Sequence, residues 1–293
     1  MAAGGDDAYT IAKRLANAGP RPAAGRREAR AHALVKRSFT KAGLRVVVQR
    51  FRVPGKGGSR NVIGVYDTPA RCLRIVMAHT DSTPGAPGAN DNASGVGVVT
   101  ELAGRMRAIE PACDVWLVAT GAEERIYTGS PDHLGALALA ARLRAIEPAC
   151  DVWLVATGAE ERLYTGSPDH LGALALARKT RGRRLRWALS LDEVGRGPSY
   201  WLRSGARGAR RGVEGELLTA ARRAKARVRW VRDDGTGNSD HREFQLAGMP
   251  AAKLGVAGRG EPCRHMPCDR AGRLQPRSLK RVRILVERAL RIR

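Results

Sequence analysis

Histidine and acidic residues stand directly after several apolar segments of this chain, each of which reads as a buried strand. Three such segments lead into His79 with Asp81, Glu123 with Glu124, and Asp192. Parallel strands present their carboxyl ends at one edge of a sheet, where ligands collect. A histidine followed two residues later by an aspartate suits a metal ligand whose tautomer is fixed by a carboxylate. We therefore expect these side chains to form one site.

Two further segments contribute to the same set. Asp91 lies in a glycine-rich turn at residues 88–95, just before an apolar helical segment at 96–106, and His265 lies near the C-terminus. Taken alone, each motif is as typical of a surface turn as of a site. Together, the carboxylates and two imidazoles suit zinc or a similar divalent ion, and one carboxylate can bridge a pair of ions. The set indicates a two-metal hydrolytic site.

The length and composition of the chain allow a sizeable core. Of its 293 residues, 43% are hydrophobic and only 4% are aromatic, so the core must be rich in alanine, valine and leucine. Together with the strand and helix segments, this predicts one α/β domain over residues 1–293.

Five separated segments agree, in order and context, with metallopeptidase family 28, and the chain resembles this family from about Ala8 to its C-terminus. The family includes leucyl-type aminopeptidases and is related to glutamate carboxypeptidases and glutaminyl cyclases. The opening at residues 18–22, a helix from Arg27 to Ala42 and a strand at 61–65 also fit. The resemblance implies a three-layer sandwich, with a mostly parallel mixed central sheet and helices on both faces. It also implies a zinc-dependent aminopeptidase that acts on peptides.

The resemblance implies two zinc ions per chain. Asp91 would bridge both ions, His79 and Asp192 would complete the ligands of the first, and Glu124 and His265 those of the second. Neighbouring side chains diverge where a chain leaves a strand, so one member of the Glu-Glu pair can bind metal while the other faces the reacting water.

The same resemblance assigns the remaining roles. Glu123 would be the general base that takes a proton from the attacking water, and Asp81 would orient the neighbouring histidine. Asp240 and His241 resemble a segment of the family that lies near the site, and we expect them on the substrate side or in a structural role.

Some positions depart from the family pattern. Ile126 stands where a glycine is often found, and Arg264 replaces the aromatic residue that commonly precedes the last histidine. These departures affect the expected shape of the substrate pocket and leave the metal ligands in place. His133 and His170 follow Ser-Pro-Asp at helix starts, where capping or surface roles are expected.

A tandem repeat complicates the assignment of the Glu-Glu pair. Residues 107–140 recur at 144–177 with one internal change, and each copy contains a strand, a Glu-Glu loop and a helix. Glu160 and Glu161 are therefore alternative site residues, and both copies fit the spacing to the neighbouring ligands. We favour the first copy because the helix begun at Asn92 leads directly into its strand. The second copy would then form an insertion before the next strand.

The formal net charge of +24 raises the question of a polyanionic partner. The arginines are dispersed, however, and no aromatic interleaving or nucleic-acid motif accompanies them. We expect a solvated basic surface and no specific nucleic acid, with weak steering of acidic partners as the alternative.

The sequence contains no pattern typical of a membrane span or of a signal peptide. No apolar run approaches the roughly 18 residues of a membrane span, and the first residues lack a signal-peptide pattern. These observations predict a cytoplasmic protein, or a secreted one if the N-terminus is incomplete. Peptides are the expected partners, and the oligomeric state is left open.

Five cysteines leave at least one unpaired. Cys72, Cys113 and Cys150 stand at strand starts and read as buried apolar thiols. Cys263 and Cys268 bracket the last histidine. A disulfide there would brace the ligand loop, although a reducing cytoplasm argues against it, and zinc binding by these thiols is a weaker alternative.

Two alternative functions remain open at this stage. The duplication could have abolished peptidase activity and left a basic binding protein that retains a metal site. Carboxypeptidase or cyclase action on the same scaffold is the other alternative, although a full two-metal ligand set argues against a single-zinc cyclase.

Overall fold

The computed structural model describes residues 6–70, 72–124, 134–146, 185–206, 208, 212–233, 239–258 and 261–292. The second repeat copy, with Cys150, Glu160, Glu161 and His170, lies outside the described residues, as do Ile126 and His133. The single-domain assignment and the surface roles of both histidines therefore stay predictions. Within the described residues, no helix combines the length and apolar character needed to cross a bilayer.

The described chain alternates strands with helices. The strands are β1 (Arg45–Val53), β2 (Gly57–Tyr66), β3 (Leu73–His79), β4 (Asp114–Thr120), β5 (Leu185–Leu191), β6 (Ser199–Ser204), β7 (Arg227–Arg232) and β8 (Ala251–Val256). The helices are α1 (Ala8–Asn17), α2 (Arg26–Lys41), α3 (Ser94–Ala103), α4 (Met106–Ile109), α5 (Leu134–Ile146), α6 (Gly212–Arg223), α7 (His241–Leu246) and α8 (Pro276–Leu290). A π-helical turn at Ala89–Ala93 and a 3-10 turn at Ala271–Arg273 complete the list.

The eight described strands form one mixed sheet in the order β1-β2-β4-β3-β5-β8-β6-β7. The four central strands β4, β3, β5 and β8 are parallel to one another. Strands β1, β2 and β6 join the sheet by antiparallel pairing. The outermost strand β7 runs parallel to β6. The predicted mixed sheet is therefore confirmed.

Helices cover both faces of the sheet, as predicted. In β3, Val76 and Ala78 pack against one layer, which contains residues of α1, α2, α3, α6 and α8. Ile75 and Met77 pack against the other layer, which contains residues of α5 and α7. Because both faces of β3 are buried, its sequence is a continuous apolar run rather than an alternating one.

The register of the parallel strands brings their carboxyl ends together. His79 pairs with Thr120 across β3 and β4, and β5 lies on the other side of β3. The loops that follow these strands therefore leave the sheet from one edge.

A disulfide joins the amino ends of β3 and β4, at the edge of the sheet opposite their carboxyl ends. It corrects the prediction of free thiols at these two positions. Cys72 and Cys113 are bonded, with their Cα atoms 4.9 Å apart. The cause is the register, since Leu73 pairs with Asp114 and the preceding residues therefore face each other.

Candidate metal centre

Six predicted residues meet at the carboxyl edge of the sheet in overlapping groups. The side chains of His79, Glu123 and Asp192 form one group of mutually close ligand atoms, and those of His79, Asp91 and Glu124 form a second. All of these side chains are buried. The sixth residue is His265, whose ring approaches the second group.

The first half of the centre is arranged around His79. Its Nε2 lies 3.2 Å from Asp91 Oδ1, 3.7 Å from Asp192 Oδ1 and 3.8 Å from Glu123 Oε2. Three carboxylate oxygens therefore converge on one imidazole nitrogen.

The second half is arranged around His265. Its Nε2 lies 3.1 Å from Glu124 Oε2 and 3.4 Å from Asp91 Oδ2. The two oxygens of Asp91 thus face two different histidines, as a bridging carboxylate requires.

The turn that carries Asp91 is fixed by the loop that carries His265. Asp269, four residues after that histidine, accepts hydrogen bonds from the N–H groups of Asn90 (2.8 Å) and Asp91 (3.0 Å). Close packing also requires Gly95, because a Cβ there would lie 2.2 Å from the carbonyl oxygen of Leu191. These contacts hold two predicted ligands of the same ion together.

Asp81 occupies a position that the sequence only partly predicted. Its carboxylate accepts hydrogen bonds from the N–H groups of Glu123 (3.1 Å) and Glu124 (3.0 Å). Its Oδ1 lies 3.7 Å from His79 Nδ1, which is closer, at 3.3 Å, to the backbone carbonyl of Asp81 itself. The side chain therefore anchors the Glu-Glu turn, and its role in orienting the histidine stays a prediction.

The centre is strongly negative, and the acidic pKa values reflect this. Burial raises the pKa of Glu124 to about 8, and the negative charge of Asp91 adds to the effect. Burial also opposes ionisation of Asp91, but hydrogen bonds with His265 and His79 lower its pKa to about 2.

The pKa values of both histidines are raised by the same carboxylates. Hydrogen bonds to Asp91 and Glu124 raise the pKa of His265 to about 10. Burial lowers the pKa of His79, but the charge of Glu123 and close contacts with the nearby aspartates raise it well above its usual value. The surrounding carboxylates therefore favour positive charge at the centre, which a bound cation can supply.

Two buried oxygens identify where a cation fits. Among the described residues, Asp192 Oδ1 and Glu124 Oε1 are buried and have no hydrogen-bond partner. Unpaired buried carboxylate oxygens are costly, and coordination to a metal would satisfy them. Two imidazoles with carboxylate oxygens are suitable zinc ligands. The residues therefore fit zinc in both halves of the centre.

The sequence did not predict the ion pairs that two basic residues form beside the ligands. Lys253 of β8 lies 2.6 Å from Asp192 Oδ2, and Arg264 forms a bidentate ion pair with Glu193. Arg264 and Glu193 directly neighbour the predicted ligands His265 and Asp192 in sequence. A lone lysine inside an apolar strand was the available signal for a buried ion pair.

Asp240 and His241 belong to neither ligand group. Asp240 accepts a hydrogen bond from Thr120 Oγ1 (2.6 Å) at the end of β4. His241 Nε2 lies 3.2 Å from Asp233 Oδ2. Both residues are fully buried, and their substrate-side role stays a prediction.

Comparison with known proteins identifies relatives of the chain by sequence and by fold. The sequence profile of peptidase family M28 matches residues 61–136 and 134–290, which is most of the chain. The aminopeptidase YwaD of Bacillus subtilis (strain 168) is 38% identical over 82 residues. That match covers 26% of this chain and 18% of YwaD, so the chain matches only a small part of that relative's length.

Solved structures share the fold over nearly the whole chain. The zinc aminopeptidase BSAP of Bacillus subtilis superimposes with a TM-score of 0.72 at 18% identity, covering 96% of this chain and 93% of BSAP. A glutaminyl cyclase from Bacteroides thetaiotaomicron gives a TM-score of 0.70 at 19% identity, covering 97% and 96%. At these identities, the likeness shows the fold alone.

Proposed function

Because the chain belongs to peptidase family M28, we propose that it is a zinc-dependent exopeptidase, and specifically an aminopeptidase that removes N-terminal residues from peptides. The observation that carries this proposal is the position of Asp91. Its two oxygens lie 3.2 and 3.4 Å from the ring nitrogens of His79 and His265. A carboxylate between two such donor groups suits a pair of metal ions.

We propose two zinc ions per chain. His79, Asp91 and Asp192 would hold the first, and Asp91, Glu124 and His265 the second. The unpaired oxygens of Asp192 and Glu124 support one ion in each half. Each half also offers one imidazole with carboxylates, a common zinc donor set.

When bound, zinc would lower the pKa of a water molecule and polarise the scissile carbonyl. Glu123 would accept the proton of that water through Oε2, which faces His79 at 3.8 Å, and would return it to the leaving amine. Asp81 would keep this carboxylate in place by accepting the N–H group of Glu123 (3.1 Å). The buried position of Glu123 would limit competition from bulk water.

Aminopeptidase action is favoured over cyclase action by the donor set. Both activities occur among proteins that share this fold, so the fold does not distinguish them. Chemistry on a single zinc needs only one donor group, whereas this centre offers two. Carboxypeptidase action and an inactive, basic binding protein remain the alternatives.

Metal analysis combined with hydrolysis of aminoacyl chromogenic amides tests the proposal. We expect two zinc ions per chain and hydrolysis that a chelator abolishes and zinc restores. Cyclisation of N-terminal glutamine without amide hydrolysis would indicate the cyclase alternative. Release of C-terminal residues alone would indicate a carboxypeptidase. A soluble protein that binds no metal and hydrolyses nothing would support the binding-protein alternative.

We also propose that the protein acts in an oxidising compartment, which differs from the cytoplasmic expectation drawn from its first residues. Two disulfides, Cys72–Cys113 and Cys263–Cys268, support this proposal. Disulfides persist in oxidising environments and are rare where thiols are kept reduced. Mapping of the cysteine bonds in protein isolated under acid quench would test it.

A further inference from the structure

The turn that carries the Glu-Glu pair is held by two carboxylates from distant parts of the chain. The N–H group of Ala122 donates to Glu28 Oε1 (3.1 Å). The next two N–H groups, of Glu123 and Glu124, donate to Asp81 (3.1 and 3.0 Å). Three successive backbone donors beyond the end of β4 are thus satisfied by side chains, as buried N–H groups require.

Glu28 is itself fixed in this position. It lies in the first turn of α2 and is only 1% exposed. Its Oε1 also accepts a hydrogen bond from Ser59 Oγ (2.7 Å), and its Oε2 accepts one from the N–H group of Ala24 (2.8 Å). The carboxylate is therefore a rigid acceptor rather than a mobile surface group.

The turn depends on this acceptor because its backbone is strained. Ala122 has a φ of 53°, in the left-handed region that residues with a Cβ seldom occupy. The backbone also approaches Glu28 closely, since a Cβ at Gly121 would lie 2.8 Å from Glu28 Oε1 and 2.4 Å from Ser59 Oγ. Strained conformations persist at functional sites when surrounding contacts enforce them.

We infer that Glu28 is a positioning residue for Glu123, the general base of the proposed function on which this inference rests. Glu28 lies before residue 61, outside the segments that the family profile matches. Its hydrogen bond holds Ala122 in the left-handed conformation, and that conformation sets the direction in which the next side chain leaves the backbone. Asp81 holds the following two N–H groups. Asn61 Oδ1 accepts the preceding one, of Gly121 (3.3 Å), so Glu28 is the side chain that holds the N–H group of Ala122 itself.

The inference is tested by replacing Glu28. In Glu28→Ala, we expect kcat to fall by about 10- to 100-fold, because a displacement of about 1 Å at a catalytic group costs on this order. KM and the zinc content should stay unchanged. Glu28→Gln, whose amide oxygen can still accept the N–H group of Ala122, should recover most of the lost kcat. Lys36→Ala, an exposed change on the same helix, is the control.

A second measurement does not depend on activity. In metal-free protein, amide hydrogen exchange in residues 121–124 should be about tenfold faster in Glu28→Ala than in the wild type, since one protecting hydrogen bond is lost. Exchange in β3 should stay unchanged. If Glu28→Ala does not fold, Ser59→Ala, which removes one contact to the same carboxylate, should show a smaller change of the same kind.

Several results would overturn the inference. One is wild-type kcat with wild-type exchange in Glu28→Ala, or in Ser59→Ala if that variant has to replace it. Another is a Glu28→Gln variant as impaired as Glu28→Ala, which would mean that an acceptor for the N–H group of Ala122 does not by itself hold the turn. If the wild type hydrolyses no peptide, the proposed function fails, and the exchange experiment still decides whether Glu28 holds the turn.

Discussion

The ammonium group of Lys253 lies 2.6 Å from Oδ2 of Asp192, and both side chains are buried. The other oxygen of this aspartate, Oδ1, faces His79 at 3.7 Å. The lysine thus occupies one side of a predicted metal ligand and leaves the other side for a cation. Burial opposes ionisation of Asp192, but the charge of Lys253 keeps the pKa of Asp192 well below its usual value.

Replacing Lys253 should separate its effects on stability and on metal binding. In metal-free Lys253→Met, we expect the free energy of unfolding to fall by about 3–5 kcal/mol, because a buried carboxylate loses its partner. Zinc should then bind more tightly and restore more stability than in the wild type, since a competing positive charge is gone. Urea unfolding with and without zinc measures both quantities, and exposed Lys280→Met is the control. An equal gain in stability from zinc in Lys253→Met and in the wild type would contradict the prediction.

Asp91 offers the most direct test of the two-metal arrangement. Asp91→Asn keeps the size of the side chain but removes the negative charge between two mutually repelling cations. We expect zinc binding to fall below two per chain and activity to fall by on the order of 10³-fold, with the fold retained. Metal analysis, turnover and circular dichroism would check this, with exposed Asp67→Asn as the control. Wild-type turnover in Asp91→Asn would refute the bridging role.

The fold and the assembly of the ligands followed from short-range sequence patterns. His79 and Asp192 stand at or next to the ends of apolar strands, and a parallel sheet brings such ends to one edge without further information. The sequence could therefore predict that these side chains meet. It could not predict the supporting contacts, because these depend on which elements become neighbours.

Lys253, Glu28 and Cys72 illustrate this limit. The apolar context of Lys253 indicates burial, but its partner is 61 residues earlier in the chain. Glu28 lies on a helix rich in arginine, and its acceptor role depends on a turn 94 residues later. Cys72 reads as a free thiol until β3 and β4 are known to be adjacent, and only then does Cys113 face it.

His32 should make stability depend on pH. Thr80 Oγ1 donates to the carbonyl of Thr120, so the 2.6 Å contact between Thr80 Oγ1 and His32 Nε2 must use a proton on the imidazole. The other nitrogen, Nδ1, is buried without a partner among the described residues and has no acceptor for a second proton. Burial accordingly lowers the pKa of His32 to about 4.

The direction of the pH effect follows from the pKa of His32 in the unfolded and folded chain. The unfolded chain takes up a proton on His32 below its ordinary pKa of 6.5, while the folded protein does not until about 4. Stability is therefore lost as the pH falls between these values. From pH 7.5 to 4.5, metal-free wild type should lose about 2–3 kcal/mol more than His32→Gln. Urea unfolding at the two pH values measures this, and equal losses would show that His32 titrates normally.

The disulfide between Cys263 and Cys268 encloses His265 in a short loop. Opening it in Cys263→Ser/Cys268→Ser should increase the entropy of the unfolded chain and so lower stability by about 2 kcal/mol. It should also loosen one ligand of the second zinc. We expect that zinc to bind more weakly while the first is little changed. Opening the Cys72–Cys113 bond with Cys72→Ala/Cys113→Ala should lower stability without changing zinc affinity, because this bond lies at the opposite end of the strands.

Calorimetric zinc titration of the two double variants checks this prediction. An equal loss of affinity for both ions in Cys263→Ser/Cys268→Ser would contradict a specific role for the loop. Mass spectrometry of unreduced wild type has to precede the titration, and free thiols at Cys263 and Cys268 would remove the brace from the mechanism. The zinc site itself would be unaffected by that result.

The repeat provides a test of which glutamate is the base. In the structure, the first copy supplies β4, and Glu123 lies 3.8 Å from His79 Nε2. Cys113 directly precedes that strand, and Cys150 is its equivalent in the second copy. The partner of Cys72 therefore reports which copy occupies the sheet. Peptide mapping of unreduced protein should identify the Cys72–Cys113 bond, and a bond to Cys150 would indicate that the second copy occupies β4.

The turnover of glutamine variants should identify the same copy as the disulfide map. Glu123→Gln keeps the shape of the side chain but cannot accept the proton, so turnover should fall by about 10²–10⁴-fold while both zinc ions stay bound. Glu160→Gln is the matched control, since it makes the same change at the equivalent position of the other copy, and it should leave turnover nearly unchanged. An inactive Glu160→Gln with an active Glu123→Gln would move the site to Glu160 and Glu161. Full activity in both variants would exclude a glutamate base from either copy.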